Sequence, residues 1–172
     1  MAGSLIKVDE EIVTSAVASV TLTGIDSTYD VYMVAFNSVK PDTDAVGLYT
    51  RVTTSGTADT TANYDFAHKE LRANTAFANG YNTNQTQFIP AGTGTDTVGE
   101  MLNGIIYCFN FNNASEYSFV TYETTYMQQT PQHYGRQGSA VHTVAQACDG
   151  INFSFASGNI HSGTFKLYGL KK

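Results

Sequence analysis

The stretch "GINFSFASGNIHSGTFKLYGL" (Gly150–Leu170) contains two runs in which apolar and polar residues alternate, "GINFSFAS" and "GTFKLYGL", joined by the turn-forming "SGNIHSG". A period of two is the signature of a half-buried strand. In the second run Phe165, Leu167 and Gly169 share one parity, and Thr164, Lys166, Tyr168 and Leu170 the other. Phe165 and Leu167 are therefore expected to face a core while Lys166 stays wet. Gly158 and Gly163 fall where the connecting loop needs positive φ. A strand placed this late in the chain ties down the C-terminal region, and Lys171 and Lys172 are suited to blunt an edge against pairing with other chains.

The same pattern extends outward. Upstream lie "EMLNGIIYCFNF" (Glu100–Phe111), "EYSFVTYETTYM" (Glu116–Met127) and "SAVHTVAQAC" (Ser139–Cys148), divided by Asn112-Asn113 and "TPQHYGRQG". Asp149-Gly150 reads as a hairpin turn. Near the start, Leu5–Val8 and Val13–Leu22 read as strands, with Ile12, Ala16, Ala18, Val20 and Leu22 on one parity. "YDVYMVAFNSV" (Tyr29–Val39) is apolar on both parities and predicts a central strand. After the turn "KPDTDAVG", "LYTRVTT" places Leu48 and Val52 on one face and Tyr49 and Arg51 on the other. Residues 66–78 are ambiguous between a short helix capped by Asp65 and a strand carrying Tyr64 and Phe66. Ala73–Gly99, rich in Asn, Thr, Gly and Gln, is expected to be exposed loop with only "TQFIP" strand-like. The sum is one all-β domain over residues 1–172, an antiparallel jelly-roll-like β-sandwich of about eight strands with at most one short helix.

Composition agrees with strands and excludes several functions. The chain has 172 residues, 11 Tyr, 10 Phe and no Trp, and aromatic and branched side chains suit a pleated, half-buried surface. Charged residues make up 14% and the formal net charge is −6, which disfavours a basic nucleic-acid groove. No window reaches the run of about 20 apolar residues that a membrane span requires, so no membrane insertion is expected. The start, "MAGSLIKVDEEIV", lacks the charged and apolar regions of a signal peptide. Cys108 and Cys148 sit in apolar strand-like runs without metal-ligand spacing and read as reduced core residues.

Chemistry-bearing patterns are sparse. His68, His133, His142 and His161 fall in separate segments without zinc-ligand spacing. Ser139 and His142 with an Asp lack the turn context of a nucleophile elbow, and Glu116 and Glu123 have opposite parity in one run. Asp42, Asp44 and Asp59 lie in turns but not in the order of a calcium loop, so Asx-turn hydrogen bonding is the plainer role. No cofactor or metal is expected. The clusters "FANGYNTNQTQ" and "TYETTYMQQTPQHYGRQ" are richer: Tyr81, Asn82, Tyr122, Tyr126, Tyr134 and Arg136 combine rigid rings with hydrogen-bonding groups, the composition of a recognition surface. Packing of these rings inside the sandwich is the competing expectation. Residues 1–12, with Leu5, Ile6 and Val8, read either as a docking arm or as an ordinary first strand.

The terminal "DGINFSFASGNIHSGTFKLYGLKK" and the early "LTGIDSTYDVYMVAFNSVKPDTDAVGLYTRVTTSG" resemble a recurrent group of uncharacterised virion proteins of tailed bacteriophages that end in SGNI-x-SGTF-x-LYG. The resemblance implies a non-enzymatic jelly-roll-like protein of the particle, made in the host cytoplasm. It further implies a homo-oligomer contacting capsid or tail proteins. A decoration protein on the outer capsid surface is the first expectation, and a tail-fibre or spike tip binding a host surface glycan the second.

Overall fold

The computed structural model describes residues 4–74, 77–94, 99–128 and 132–170. Among them are thirteen strands and no helix. They are β1 (Leu5–Val13), β2 (Ser19–Thr23), β3 (Val31–Pro41), β4 (Gly47–Thr54), β5 (Thr57–Ala58), β6 (Tyr64–Arg72), β7 (Ala78–Gln85), β8 (Phe88–Gly92), β9 (Leu102–Phe109), β10 (Ser118–Met127), β11 (His133–His142), β12 (Gly150–Phe155) and β13 (Ile160–Leu170). All pairings are antiparallel. One sheet runs β1-β13-β3-β9-β10-β11-β6-β7, and a smaller one runs β2-β12-β4-β5, with β8 pairing β4.

Alternation drives this arrangement. Along β10 every second side chain is buried, from Ser118 and Val120 to Tyr126. The larger sheet turns Phe165, Leu167, Tyr32, Val34, Phe36, Leu102, Ile106 and Val120 inward, against Val20, Leu22, Leu48, Val52, Ile151 and Phe153 of the smaller sheet. Phe36, Phe153 and Phe165 form the aromatic centre, with ring centroids 5.1–6.3 Å apart. Burial of each such side chain stabilises by about 1.5–3 kcal/mol.

The terminal strand behaves as the alternation predicts, with Phe165 and Leu167 fully buried and Lys166 partly exposed and paired with Glu10. It lies inside the large sheet between β1 and β3, however, so it is not an edge. Lys171 and Lys172, expected at such an edge, lie outside the described residues. Gly158 adopts φ 71° and Gly163 φ 148°. A Cβ at Gly158 would strike Asp42 Oδ1 and Thr43 Oγ1, and that same Asp42 oxygen accepts the Asn159 N–H at 2.6 Å.

Several expectations are corrected. Thirteen strands are described against about eight expected, because β5, β6, β7 and β8 form in segments read as loop or as ambiguous. Residues 14–18 leave the sheet between β1 and β2, where Val17 makes only an isolated bridge to Ile160. Ile12 is consequently exposed rather than on the buried face with Val20 and Leu22. Of the two alternatives open from Phe66 onward, the strand carrying Tyr64 and Phe66 is the one found: β6 pairs β11 over nine residues and β7 returns beside it. Strand β7 lies in the segment expected as a long loop, whereas β8 falls where "TQFIP" was expected to be strand-like. "TPQHYGRQG" is not a turn from His133 onward, because it begins β11. Asp149-Gly150 is not a hairpin either. Strands β11 and β12 belong to different sheets, and the Asp149 carboxylate instead accepts from Thr53 Oγ1 at 2.7 Å and from the Gly56 N–H at 2.9 Å.

From Leu5 onward the expected docking arm is built into the sheet rather than detached, and residues 1–3 lie outside the described residues. Residues from Leu5 to Val13 pair β13, and the register skips between Lys7 and Asp9. Val8 is the extra residue of this bulge and packs on the core, as bulges re-aim side chains. Asp9 Oδ2 accepts the Thr23 N–H at 2.8 Å, which ties β1 to β2. Leu5 and Ile6 are exposed on the end strand of the sheet.

Candidate functional site

Two surface features stand out, and both lie at the β6–β7 end of the large sheet. The first is a cleft of about 560 Å³ on the inner side of that end. Strand β6 makes it by continuing one face, Tyr64, Phe66, His68, Glu70 and Arg72, past the cover of the smaller sheet. Tyr64 is buried among aromatic neighbours, whereas Phe66, His68, Glu70 and Arg72 line the cleft. Small residues keep it open, with Ala45 and Gly47 on one wall and Ala78 and Gly80 on another. A Cβ at Gly80 would collide with the His68 ring.

Glu70 is the hub. Arg136 donates to its Oε2 from Nε at 3.0 Å and from Nη2 at 2.9 Å, and Arg72 donates to Oε1 from Nε at 2.7 Å. The Tyr126 hydroxyl reaches Oε2 at 3.5 Å. Burial by itself would raise the Glu70 pKa, but hydrogen bonds and charge from Arg136, then Arg72, outweigh it and hold the carboxyl below its usual range. Glu70 in turn raises the Arg72 pKa. Arg136 also donates from Nη1 to the Ile89 carbonyl, binding β11 to β8. The guanidinium of Arg72 lies over Tyr134 and that of Arg136 over Tyr126, at 5.4 and 5.9 Å from the ring centroids. Such cation–π contacts add to the ionic network.

His68 sits behind this hub. Burial, reinforced by the Arg136 charge, lowers its pKa to about 4 against the opposing pull of Glu70. It is therefore neutral near pH 7. Its Nδ1 lies 3.3 Å from the Tyr122 hydroxyl, and its ring stacks on Phe66.

The second feature is a shallow apolar depression on the opposite, outer face of the same sheet. Phe119, Val141, Ala67 and Tyr81 frame it, with Thr121 and Ser139 on its floor. The register Thr121↔Ser139↔Ala67↔Tyr81 puts these side chains in one row across four strands. Tyr81 is 77% exposed and Phe119 44%.

The residues that composition singled out therefore separate. Tyr122, Tyr126 and Tyr134 are buried, so their rings are packing and not contact surface. Arg136 is largely buried but lines the cleft, Asn82 faces it from β7, and Tyr81 is exposed at the same edge. Sequence reading did not single out Glu70 or Arg72 as site residues. The detectable signal was the alternation Tyr64-Phe66-His68-Glu70-Arg72, which becomes ionic along one face.

Other candidates resolve into structural roles. Ser139 is exposed on the outer face while His142 is buried on the inner one, so the two cannot act together. His142 Nε2 pairs with Asp59 Oδ2 at 2.9 Å, and burial lowers the His142 pKa despite that carboxylate. Asp59 also accepts from the Thr61 N–H at 2.8 Å, an Asx turn as expected. Glu123 accepts from Gln137 on the outer face. Cys108 and Cys148 are unbonded and buried, and burial raises both thiol pKa values. Among the described residues no cluster of three or more His, Cys, Asp or Glu is placed to hold a metal ion. No described helix is long and apolar enough to cross a membrane. Compared with protein-family models, curated proteins and solved structures, the chain matches none.

Proposed function

We propose that this chain is a non-enzymatic structural protein of a tailed-bacteriophage particle, a decoration protein of the outer capsid surface that works as a symmetric oligomer. The observation that carries this reading is the end strand β1, whose Leu5, Ile6 and Ile12 are exposed. A strand at the end of a sheet offers unpaired backbone groups to a neighbouring chain, and apolar side chains beside it add affinity. The resemblance of the terminal segment to virion proteins supports the same reading. In a particle lattice such an edge is covered by neighbours.

Quantitative mass spectrometry of purified particles tests it. A copy number that scales with the major capsid protein is expected. A count near that of the portal protein would move the chain to the tail, and absence from particles would overturn the virion reading.

A second reading, recognition of a host surface glycan, is favoured by Tyr81. This ring is exposed on edge strand β7 beside Asn79, Asn82 and Thr83, and a ring flanked by hydrogen-bonding groups suits the face of a sugar. Saturable binding to envelope glycans that is lost in Tyr81→Ala is the expected result; equal binding by the variant would remove this reading.

A further inference from the structure

Strand β3 is apolar on both parities, as a strand covered on two faces would be, yet the smaller sheet covers only one of them. Tyr32, Val34 and Phe36 point into the core, whereas Val31, Met33 and Ala35 lie on the outer face and outside the core cluster. Strands β2 and β8, which pack across the larger sheet, both belong to the inner layer. The register carries this apolar surface sideways. Val141, Phe119, Phe109 and Val31 form one row across β11, β10, β9 and β3, and Leu170 and Leu5, paired with each other, continue it onto β13 and β1. In the next row Tyr107, Met33 and Tyr168 stand side by side, and the third joins Glu123, Ile105, Ala35 and Lys166. Phe119 and Leu5 are exposed, and Val141, Phe109, Val31 and Leu170 are partly so.

At about 4.8 Å per strand and about 3.4 Å per residue, six strands and three rows span about 29 Å by about 20 Å. Two such faces together remove roughly 1,200 Å² from solvent, the lower end of the range for stable protein–protein interfaces. A contiguous apolar patch of this extent is rare on a monomer.

We propose that this face binds a second copy of the chain, in a sheet-on-sheet dimer whose two-fold axis runs parallel to the strands between β3 and β9. This rests on the symmetric-oligomer part of the virion reading and names the face that associates. The rotation lays β3 over β9, β13 over β10 and β1 over β11 of the second copy, with the sheets crossing at about 30°. In the apolar row Val31 then meets Phe109, Leu170 meets Phe119 and Leu5 meets Val141. In the next, Met33 meets Tyr107. In the third, Lys166 comes opposite Glu123, an opposite-charge contact that the symmetry makes twice. An isologous interface requires this self-complementarity, and a partner of different sequence does not. Lys166 already pairs with Glu10 at 3.0 Å, and Glu123 accepts from Gln137 at 2.8 Å. The ionic contact therefore sets alignment, and the apolar row supplies affinity. Strands β6 and β7 lie beyond the footprint, so Tyr81 stays free.

Sedimentation equilibrium of the full-length protein, up to about 100 μM, is expected to show a monomer–dimer equilibrium. Phe119→Lys sets a charge within the apolar row at an exposed position and should weaken the dimer at least about tenfold. If that variant does not fold, Thr121→Lys, exposed in the adjacent row, should weaken it in the same direction. A bis-maleimide able to cross the about 10 Å between packed sheets tests the axis. It should link a mixture of Phe119→Cys and Leu170→Cys proteins but neither protein alone, since Cys108 and Cys148 are buried.

A wild type that stays monomeric at 100 μM overturns the inference, as does a trimer. Undiminished association of Phe119→Lys, or of Thr121→Lys in its place, would move the contact elsewhere, to the β1 edge first, and also overturns it. Cross-linking of either cysteine variant by itself overturns the axis. A monomer found in particles at a capsid-scale copy number would remove this dimer and leave the decoration reading standing. A dimer absent from particles would do the reverse.

Discussion

Strand β13 and the far half of β6 belong to the same sheet and alternate in the same way, yet they turn different chemistry inward. Phe165 and Leu167 of β13 are completely buried, and Phe165 packs on Phe36 and on Phe153 of the smaller sheet. One face of β6 begins likewise, with Tyr64 and Phe66, and then becomes His68, Glu70 and Arg72 where the cover ends. Apolar packing holds the first region and is indifferent to pH. Hydrogen-bonded charge holds the second, which stays partly open to solvent. The pattern of a sheet thus decides which residues point inward, while the extent of the opposing layer decides what they must be.

The largest expected effect is in the apolar region. Phe165→Ala removes a fully buried ring between two others and should cost about 3–5 kcal/mol. Urea unfolding is expected to show one lowered transition for the whole domain. If the loss is below about 1 kcal/mol, the aromatic centre is not what holds the sheets together.

Glu70→Ala comes next. It strands two guanidinium groups, one of them largely buried, and should cost about 2–3 kcal/mol, below the full penalty for breaking a buried pair because Arg72 is partly hydrated. Adding Arg136→Met to Glu70→Ala should recover part of that loss, since the uncompensated charge is removed with its partner. A double variant less stable than the single one would contradict the ionic account of this end.

Acid sharpens the contrast further. The folded-state pKa of His68 is about 4 against an ordinary 6.5, so between these values the unfolded chain binds a proton that the folded one does not. Stability is therefore complete above about pH 6.5 and falls as pH drops toward 4. His142, also lowered by burial, contributes in the same direction. Glu70 and Asp59, whose pKa values are lowered, lose their contribution only at more acid pH. His68→Gln should flatten the loss between pH 6.5 and 4 in urea titrations; an unchanged slope would assign it elsewhere.

The smallest effect has the opposite sign. Thr50 is fully buried in β4 with a hydroxyl that has no hydrogen-bond partner among the described residues. Thr50→Val keeps the shape and removes an unsatisfied group, so it should stabilise by about 1 kcal/mol. Destabilisation in thermal unfolding would show that the oxygen is satisfied in solution.

Much of the apolar region was legible in the sequence. Phe165 and Leu167, the doubly apolar β3 and the pairing of Leu48 with Val52 on one face all follow from alternation alone. Local signals failed where tertiary pairing overrides them. Asp149-Gly150 has the residues of a hairpin turn, but its carboxylate is used by Thr53 and Gly56 across a sheet crossing. Polar β7, "ANGYNTNQ", has little strand propensity and is held by its pairing with β6. The cleft was only partly visible. Arg136 and Asn82 were noticed for their composition, whereas Glu70 and Arg72 matter because β11 lies beside β6, with Arg136 opposite Glu70 in register.

Amide hydrogen exchange in Glu70→Gln, compared with wild type, tests most directly whether the two regions are held by different forces. Loss of protection confined to β6, β7 and the first half of β11, with β3, β9 and β13 unchanged, is the predicted result. Uniform loss across both sheets, or no loss at β6–β7, would contradict it.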